Sequence, residues 1–487
     1  MMRLSRQTLD RLPAAVKRPE YDPARLAVGI VHLGIGAFHR AHQAVFTDAV
    51  LAEDPSWGIC GVSLRSPETR AALAPQDGLY TLKVQDGERE ELQVVGSVVE
   101  LLCAPEDPEA VLARLANPAT RIVSLTITEK GYCHNPATGK LDEGHPDVIH
   151  DLQNPARPRS AVGLIVEALA RRTSAGVPPF TLLSCDNLPS NGHVLKSVVT
   201  RFAELRDPAL ANILGQLASP STMVDRIVPA TTEKDRSDIS AANGVVDAWP
   251  IVTEPFRQWV VEGDFPLGRP AWEKAGVVFV DDVAVFEMMK LRLLNGSHST
   301  LAYLGYLAGA ETVADAMALP GMEALVEGLM VDEVSPTLPA LPGFDLSAYR
   351  QALLQRFRNP ALRHHTWQIA MDGSQKLPQR LLGTIRDRIA AKASYDRLAL
   401  GVAAWMRYAR GIDEQANAID VRDPLAGRIA AVAQPLQRPD EIVAALLRIT
   451  EVFGDDLPSD EAFRDTLVRN LAGLMSDGAA AVVKSHA

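Results

Sequence analysis

Gly29-Ile-Val-His-Leu33 runs directly into Gly34-Ile-Gly36-Ala-Phe-His-Arg-Ala-His-Gln43. The first five residues read as a short buried strand, and those after Gly36 as a helix continuing to about Glu53. A second apolar strand is expected at Trp57-Gly-Ile-Cys-Gly-Val-Ser-Leu64. Strand, glycine turn, helix and strand form the opening of a dinucleotide-binding βαβ unit. Glycine lets the backbone approach a pyrophosphate, and the N–H groups of a helix start favour its charge. Leu33, Gly34, Ile35, Gly36, Ala37, Phe38 and Arg40 are therefore cofactor-binding candidates. His39 stands where the third glycine of the fingerprint would fall, so an ordinary tight strand-to-helix turn is the competing reading.

An acidic residue that grips the ribose hydroxyls is expected at the end of the second strand. That end reads Leu64-Arg65-Ser66-Pro67-Glu68. Arg65 and Ser66 suit a 2′-phosphate and Glu68 suits a ribose, so this strand end leaves NAD against NADP open. Further strands are expected at 80–84, 92–99, 121–128 and 180–184, with helices at about 160–174 and 191–205. In open α/β sheets the ligands gather at the C-terminal strand ends. Gly34, Glu129-Lys130 and Asp186-Asn187 then share one edge, although Asp186-Asn187 equally suits a helix cap or turn. In Met223-Val-Asp-Arg-Ile-Val-Pro229, the pair Asp225-Arg226 is either a structural ion pair or part of the site.

After about Asp282 strand signals fade and helical periods dominate, at 283–308, 345–357, 396–410, 440–453 and 460–475. The expected class is α/β: a Rossmann-like dinucleotide-binding domain over 1–281, then a mostly α-helical domain over 282–487. Met288, Leu291, Leu294, Leu301 and Leu304 recur at helical spacing, so 283–308 reads as one long, largely buried helix. It carries Lys290, Asn295 and His298. In α-helical geometry Asn295 and His298 share a face, and Lys290 lies about 80° round and ~12 Å along from His298. A base, an amide and an imidazole in a dry place are what proton abstraction from an alcohol needs. The bland alternative is a lysine that snorkels to solvent beside an asparagine and a histidine bonded to backbone. A last polar cluster runs from Thr366 to Arg380. Its Lys376 and Arg380 could hold an anionic or polyhydroxylated substrate, or simply belong to a capped turn.

The chain has 487 residues, too many for one core, so two or more domains are expected. A net charge of −11 speaks against a nucleic-acid or anionic-membrane surface. No run approaches the length of a membrane span. Residues 1–18 show no apolar core followed by a cleavage site, so no signal peptide is expected. Cys60, Cys103, Cys133 and Cys185 form neither a zinc pattern nor a disulfide framework, which fits a cytoplasmic enzyme working without a metal. A small molecule is the expected partner. A monomer fits the two-domain layout.

Five stretches together carry a family resemblance: Ile30 to Gln43, Ser124-Leu-Thr-Ile-Thr-Glu-Lys-Gly-Tyr132, Ser184-Cys-Asp-Asn187, Met223 to Pro229, and Lys290 to His298. The chain resembles the polyol-specific long-chain dehydrogenase/reductases, the mannitol dehydrogenase family, from about Gly29 to its C-terminal helices. The resemblance implies a metal-independent enzyme that uses NAD or NADP. It implies hydride transfer between nicotinamide and a secondary alcohol of a linear sugar derivative. Lys290 matches the family's general base, Asn187 and Asn295 match the asparagines that polarise the oxygen, and His298 matches a histidine that holds the substrate. Asp225 matches an aspartate near the cofactor and base. Burial is expected to pull a catalytic lysine below its usual pKa of about 10.4. Gln368 falls where mannitol dehydrogenases carry a polyol-binding arginine. The run Trp367 to Leu382 resembles the fructuronate reductase (D-mannonate oxidoreductase) branch, while Leu188-Pro189 looks more like the mannitol branch. A sugar acid, D-mannonate or D-fructuronate, is the expected substrate, with a neutral polyol such as D-mannitol or D-arabinitol as the alternative. A carboxylate needs a cation, for which Lys376 and Arg380 are the candidates by charge.

Overall fold

The computed structural model describes residues 2–135, 138–341 and 343–486. The chain forms two compact units, Met1–Ala284 and Val285–Ala487.

Unit one is built on five parallel strands: β1 (Val28–Leu33), β2 (Gly58–Ser63), β3 (Val98–Cys103), β4 (Ile122–Leu125) and β5 (Thr181–Ser184). Their order is β3-β2-β1-β4-β5, with every neighbouring pair parallel. This is the doubly wound order, whose switch point lies between β1 and β4. The central strands are apolar apart from His32, Ser63 and Ser124, because both faces are covered. Alternate residues feed separate cores: Val31, Val123 and Leu182 join one, and Ile30, Ile122 and Leu183 the other. Its helices include α1 (Ala37–Ala41), α2 (Gln43–Asp48), α3 (Glu68–Leu73), α4 (Pro108–Ala116), α5 (Ala161–Ser174) and α6 (Asn191–Arg206). Ser160 caps α5 by accepting the Gly163 N–H at 2.9 Å. A three-stranded sheet joins β6 (Thr222–Asp225), β7 (Gln258–Glu262) and β8 (Val278–Val280), with β7 between the other two.

Two expectations are corrected here. The single strand expected over 92–99 is two, Arg89–Val95 and β3, in different sheets. The chain changes sheet at Gly96-Ser97, where Gly96 N–H donates to Asp48 and Ser97 Oγ donates to the Ala44 carbonyl. The helix expected to continue to Glu53 breaks at His42, between α1 and α2. His42 is pulled out of helical geometry by its ring. Nε2 donates to the Gln258 carbonyl at 2.8 Å, and the ring packs edge-on against Phe46 and Trp259.

Unit two shows helices and no strand among the described residues. Its main helices are α7 (Gly296–Leu307), α8 (Leu346–Arg358), α9 (Thr366–Ala370), α10 (Gly373–Leu377), α11 (Asp396–Ala409) and α12 (Glu461–Ser476). α7 is buried on nearly all sides and packs against α9 and α11. Asp345 and Asp460 cap α8 and α12. The α-helix expected over 283–308 is also corrected. An α-helical turn at Ala284–Met289 gives way to a π-helix at Lys290–Asn295, and α7 follows.

Candidate active site

The C-terminal edge of the parallel sheet opens into a cavity of about 630 Å³ lined by Gly34, Ile35, Gly36, Arg65, Ser66, Thr126, Ile127, Thr128, Lys130 and Arg159, among others. Gly34 has φ +92, and a Cβ there would lie 2.2 Å from the Thr126 carbonyl oxygen. Only glycine fits that turn. Gly36 has an ordinary φ of −88, and a Cβ there would meet nothing closer than 3.8 Å. The first glycine is needed by the fold; the second leaves open space above the backbone.

A polar chain fixes the turn. Thr126 Oγ1 donates to the Gly34 carbonyl at 2.8 Å and accepts from His32 Nε2 at 2.8 Å. His32 Nδ1 accepts in turn from Ser124 Oγ. Burial pushes the His32 imidazole down to about 3, so it works as a neutral linker. Asp186 ties the end of β5 to the end of β4. Its carboxylate accepts the N–H groups of Ile127 and Thr128 at 2.9 Å each and the Tyr132 hydroxyl at 2.7 Å. These bonds hold Thr128 at φ +63, an uncommon conformation for threonine. His32, Thr126 and Arg159 were not among the candidates read from sequence. His32 had a signal: it is a polar residue inside an otherwise apolar strand.

The cofactor candidates divide. Gly34, Ile35, Gly36 and Ser66 line the cavity. Leu33 is buried in the sheet, Ala37 opens α1, and Phe38 stacks on the His42 ring at 5.0 Å. Arg40 does not line this cavity. Its guanidinium is buried, donates to the Trp249 carbonyl at 2.6 Å and lies over Tyr80; burial lowers its pKa to about 10. Glu68, the first residue of α3, is exposed and lies outside the cavity lining. Asn187 is exposed just after β5. Asp225, the buried last residue of β6, does not line this cavity. Arg226 is structural: it donates to the carbonyls of Ala41 and Glu254.

In unit two the π turn sets the register of the remaining candidates. The Gly296 N–H donates to the Leu291 carbonyl, five residues back. In an α-helix Lys290 and Asn295 would stand about 140° apart. A wider i→i+5 turn brings residues five apart toward one line, so Lys290 and Asn295 come closer to a common face than α-geometry allows. Lys290 is 9% exposed. A second π turn, Pro378–Leu382, packs on the first. Proline removes a donor and crowds the carbonyl before it, which favours the wider turn there. The contact is close: a Cβ on Gly296 would stand 2.8 Å from the Arg380 carbonyl oxygen.

His298 follows on α7 and is buried, its ring 4.7 Å from Phe357 and 5.3 Å from His364. Burial, reinforced by His364, Arg356 and Arg380, pushes its pKa well below the ordinary value, so the ring is neutral. Lys376 on α10 donates to the Met371 carbonyl at 2.5 Å and the Ile369 carbonyl at 3.3 Å. Burial lowers its pKa. Arg380 donates to Ser299 Oγ at 3.1 Å. Gln368 is exposed on α9. Among the described residues no group of three or more His, Cys, Asp or Glu is placed to hold a metal ion. No described helix is long and apolar enough to cross a membrane.

The sequence pattern of the mannitol dehydrogenase Rossmann domain matches residues 28–274, and that of the mannitol dehydrogenase C-terminal domain matches residues 282–475. The chain belongs to the mannitol dehydrogenase family. It is an oxidoreductase. Among the family's members, the D-mannonate oxidoreductase of Escherichia coli (strain K12) is 51% identical over 454 residues, 92% of this chain and 93% of that protein. The mannitol 2-dehydrogenase of Pseudomonas fluorescens, solved with NAD and D-mannitol, is 41% identical with a TM-score of 0.82 over 99% of both chains. A substrate-free D-sorbitol dehydrogenase is 36% identical, with a TM-score of 0.93 over 99% of this chain and 100% of the other. Sugar acids and polyols thus both occur in the names of this family's members.

Proposed function

We propose that the chain catalyses the NAD-dependent interconversion of D-mannonate and D-fructuronate. The observation that carries the reading is the segment Lys290 to His298, with Lys290 and His298 buried and Lys290 and Asn295 set by one π turn. The 51% identity to a D-mannonate oxidoreductase supports the sugar-acid substrate.

The cavity of unit one fits a dinucleotide. Gly34 shapes the turn, the open space over Gly36 admits a close-lying pyrophosphate, and Lys130 and Arg159 supply positive charge. When bound, NAD accepts hydride from the alcohol carbon, or NADH returns it to the carbonyl. Ser66 is assigned to the ribose side, with Arg65 beside it; these two make NADP the second cofactor to assay. Lys290 takes the hydroxyl proton on oxidation and gives it back on reduction. Asn295 donates a hydrogen bond to the reacting oxygen, where negative charge develops. His298, a neutral imidazole, orients a substrate hydroxyl.

The mannitol and sorbitol dehydrogenase structures favour a polyol as the second reading. The test is the change in nicotinamide absorbance with D-mannonate, D-mannitol and D-arabinitol, each with NAD and NADP. Turnover of D-mannonate with NAD, at a kcat/KM at least tenfold above either polyol, is expected. A preference for D-mannitol or D-arabinitol would replace the sugar-acid reading.

A further inference from the structure

Three cations gather around the His298–His364 pair. Arg356 and Arg380 act on His298, and Arg356 and Lys376 act on His364. The surroundings of Lys376 and Arg380 differ. Lys376 has Asp372 at 4.0 Å and feels Asp423, and its ammonium already donates to two carbonyls. Arg380 has, among the described residues, one hydrogen bond, to the neutral Ser299 hydroxyl, and no ion pair. Its guanidinium carries five donors. Tyr303 is the group that most offsets its charge, and burial keeps that phenol protonated. A half-buried guanidinium near a second cation, Lys376, and bonded only to a neutral hydroxyl is poorly compensated unless an anion pairs with it.

The backbone of Arg380 is also fixed in place. It sits on the π turn Pro378–Leu382, with its carbonyl pressed against Gly296, the residue after Asn295. Its side chain reaches Ser299, the residue after His298. The cation is therefore anchored beside the segment assigned to the reacting alcohol.

The geometry points to Arg380 as the anchor for the substrate carboxylate, at the end of the sugar chain away from the reacting carbon; this rests on the sugar-acid reading given above. A planar guanidinium meets a carboxylate through two parallel N–H···O bonds, which a neutral hydroxymethyl or amide end cannot form. Arg380 is thus the specificity-determining residue for acid over polyol. Lys376, held by its own loop, is not.

The test crosses a change in the substrate with a change in the protein, which isolates the pair. kcat/KM is measured with NAD for D-mannonate and for its uncharged amide, on the natural chain, Arg380→Met and Arg380→Lys. The natural chain is expected to prefer the acid at least 30-fold, mainly through KM. Arg380→Met should bring that preference to within about threefold of unity, and Arg380→Lys should retain part of it. A natural chain that treats acid and amide alike overturns the proposal with no variant needed. So does an Arg380→Met variant that keeps the natural preference. If Arg380→Met does not fold, Arg380→Lys decides: an undiminished preference there shows that the bidentate fork is not used. Absence of turnover of either compound by the natural chain, with turnover of D-mannitol, overturns the sugar-acid reading itself.

Discussion

Lys290 is buried to 9% exposure inside unit two, on a turn wider than an α-helix. A lysine serves as a base only as the free amine, and its transfer of a proton in the transition state contributes typically about 10²–10⁴-fold. Lys290→Met keeps the length and the apolar stem and removes the amine. The expected result is a loss of kcat/KM of about 10²–10⁴-fold, with NADH binding by fluorescence titration and the melting temperature close to those of the natural chain. Activity within threefold of the natural level would remove Lys290 from the role of base. The clustering of Lys290, Asn295 and His298 in one short stretch was visible before any coordinates, and the turn that sets their register was not. The buried setting of Arg40 was not legible, because its carbonyl partner, on Trp249, is 209 residues away. A cation next to a glycine turn suggests phosphate binding until its partner is seen.

The opening strand, turn and helix start were legible because the apolar run, the two glycines and the change of period all point the same way. The break at His42 was not, because the carbonyl that captures its ring lies on Gln258. The π turn was not legible either. The apolar spacing of Met288, Leu291 and Leu294 fits an α-helix, and one extra residue per turn alters that pattern too little to show. The two glycines of the turn make separable predictions. Gly34→Ala must take a left-handed φ and overlap the Thr126 carbonyl. A cost of roughly 2–4 kcal/mol is expected from the two effects together, seen as a lowered midpoint in urea. Gly36→Ala has a permitted φ and free space, so its midpoint should stay near that of the natural chain. Its methyl would instead stand in the cavity where the pyrophosphate approaches, and the Kd for NADH should rise about tenfold or more. Equal loss of stability in both variants would mean that Gly36, too, serves the fold.

At the scale of the whole molecule, the change from strand to helix periods after about residue 282 made the division into an α/β part and a helical part readable. The long-range pairings that set strand order were not. Those pairings bury three histidines of one short segment. Burial pushes His32 and His42 down to about 3 and His39 well below 6.5. In the unfolded chain each titrates near 6.5. Below that pH the unfolded chain binds protons that the folded chain refuses, so the contribution to stability is complete above about pH 6.5 and declines as pH falls toward 3. Between pH 7 and pH 5, His32 and His42 each withdraw about 2 kcal/mol. His298 and His364, also depressed by burial, act in the same direction. Asp48 opposes them. Burial raises its carboxyl to about 6, so its folded form gains a proton before the unfolded form does, returning about 1–2 kcal/mol over the same interval. Asp186 and Glu333, whose pKa values burial also raises, side with Asp48. The histidines outweigh the acids, and the melting temperature should fall by about 5–10 °C from pH 7 to pH 5. Circular dichroism melts at pH 7, 6 and 5 at constant ionic strength measure this. An unchanged melting temperature would mean that the imidazoles of β1 and α1 take up protons within the folded sheet, and that the neutral His32 linker is not what holds the Gly34 turn.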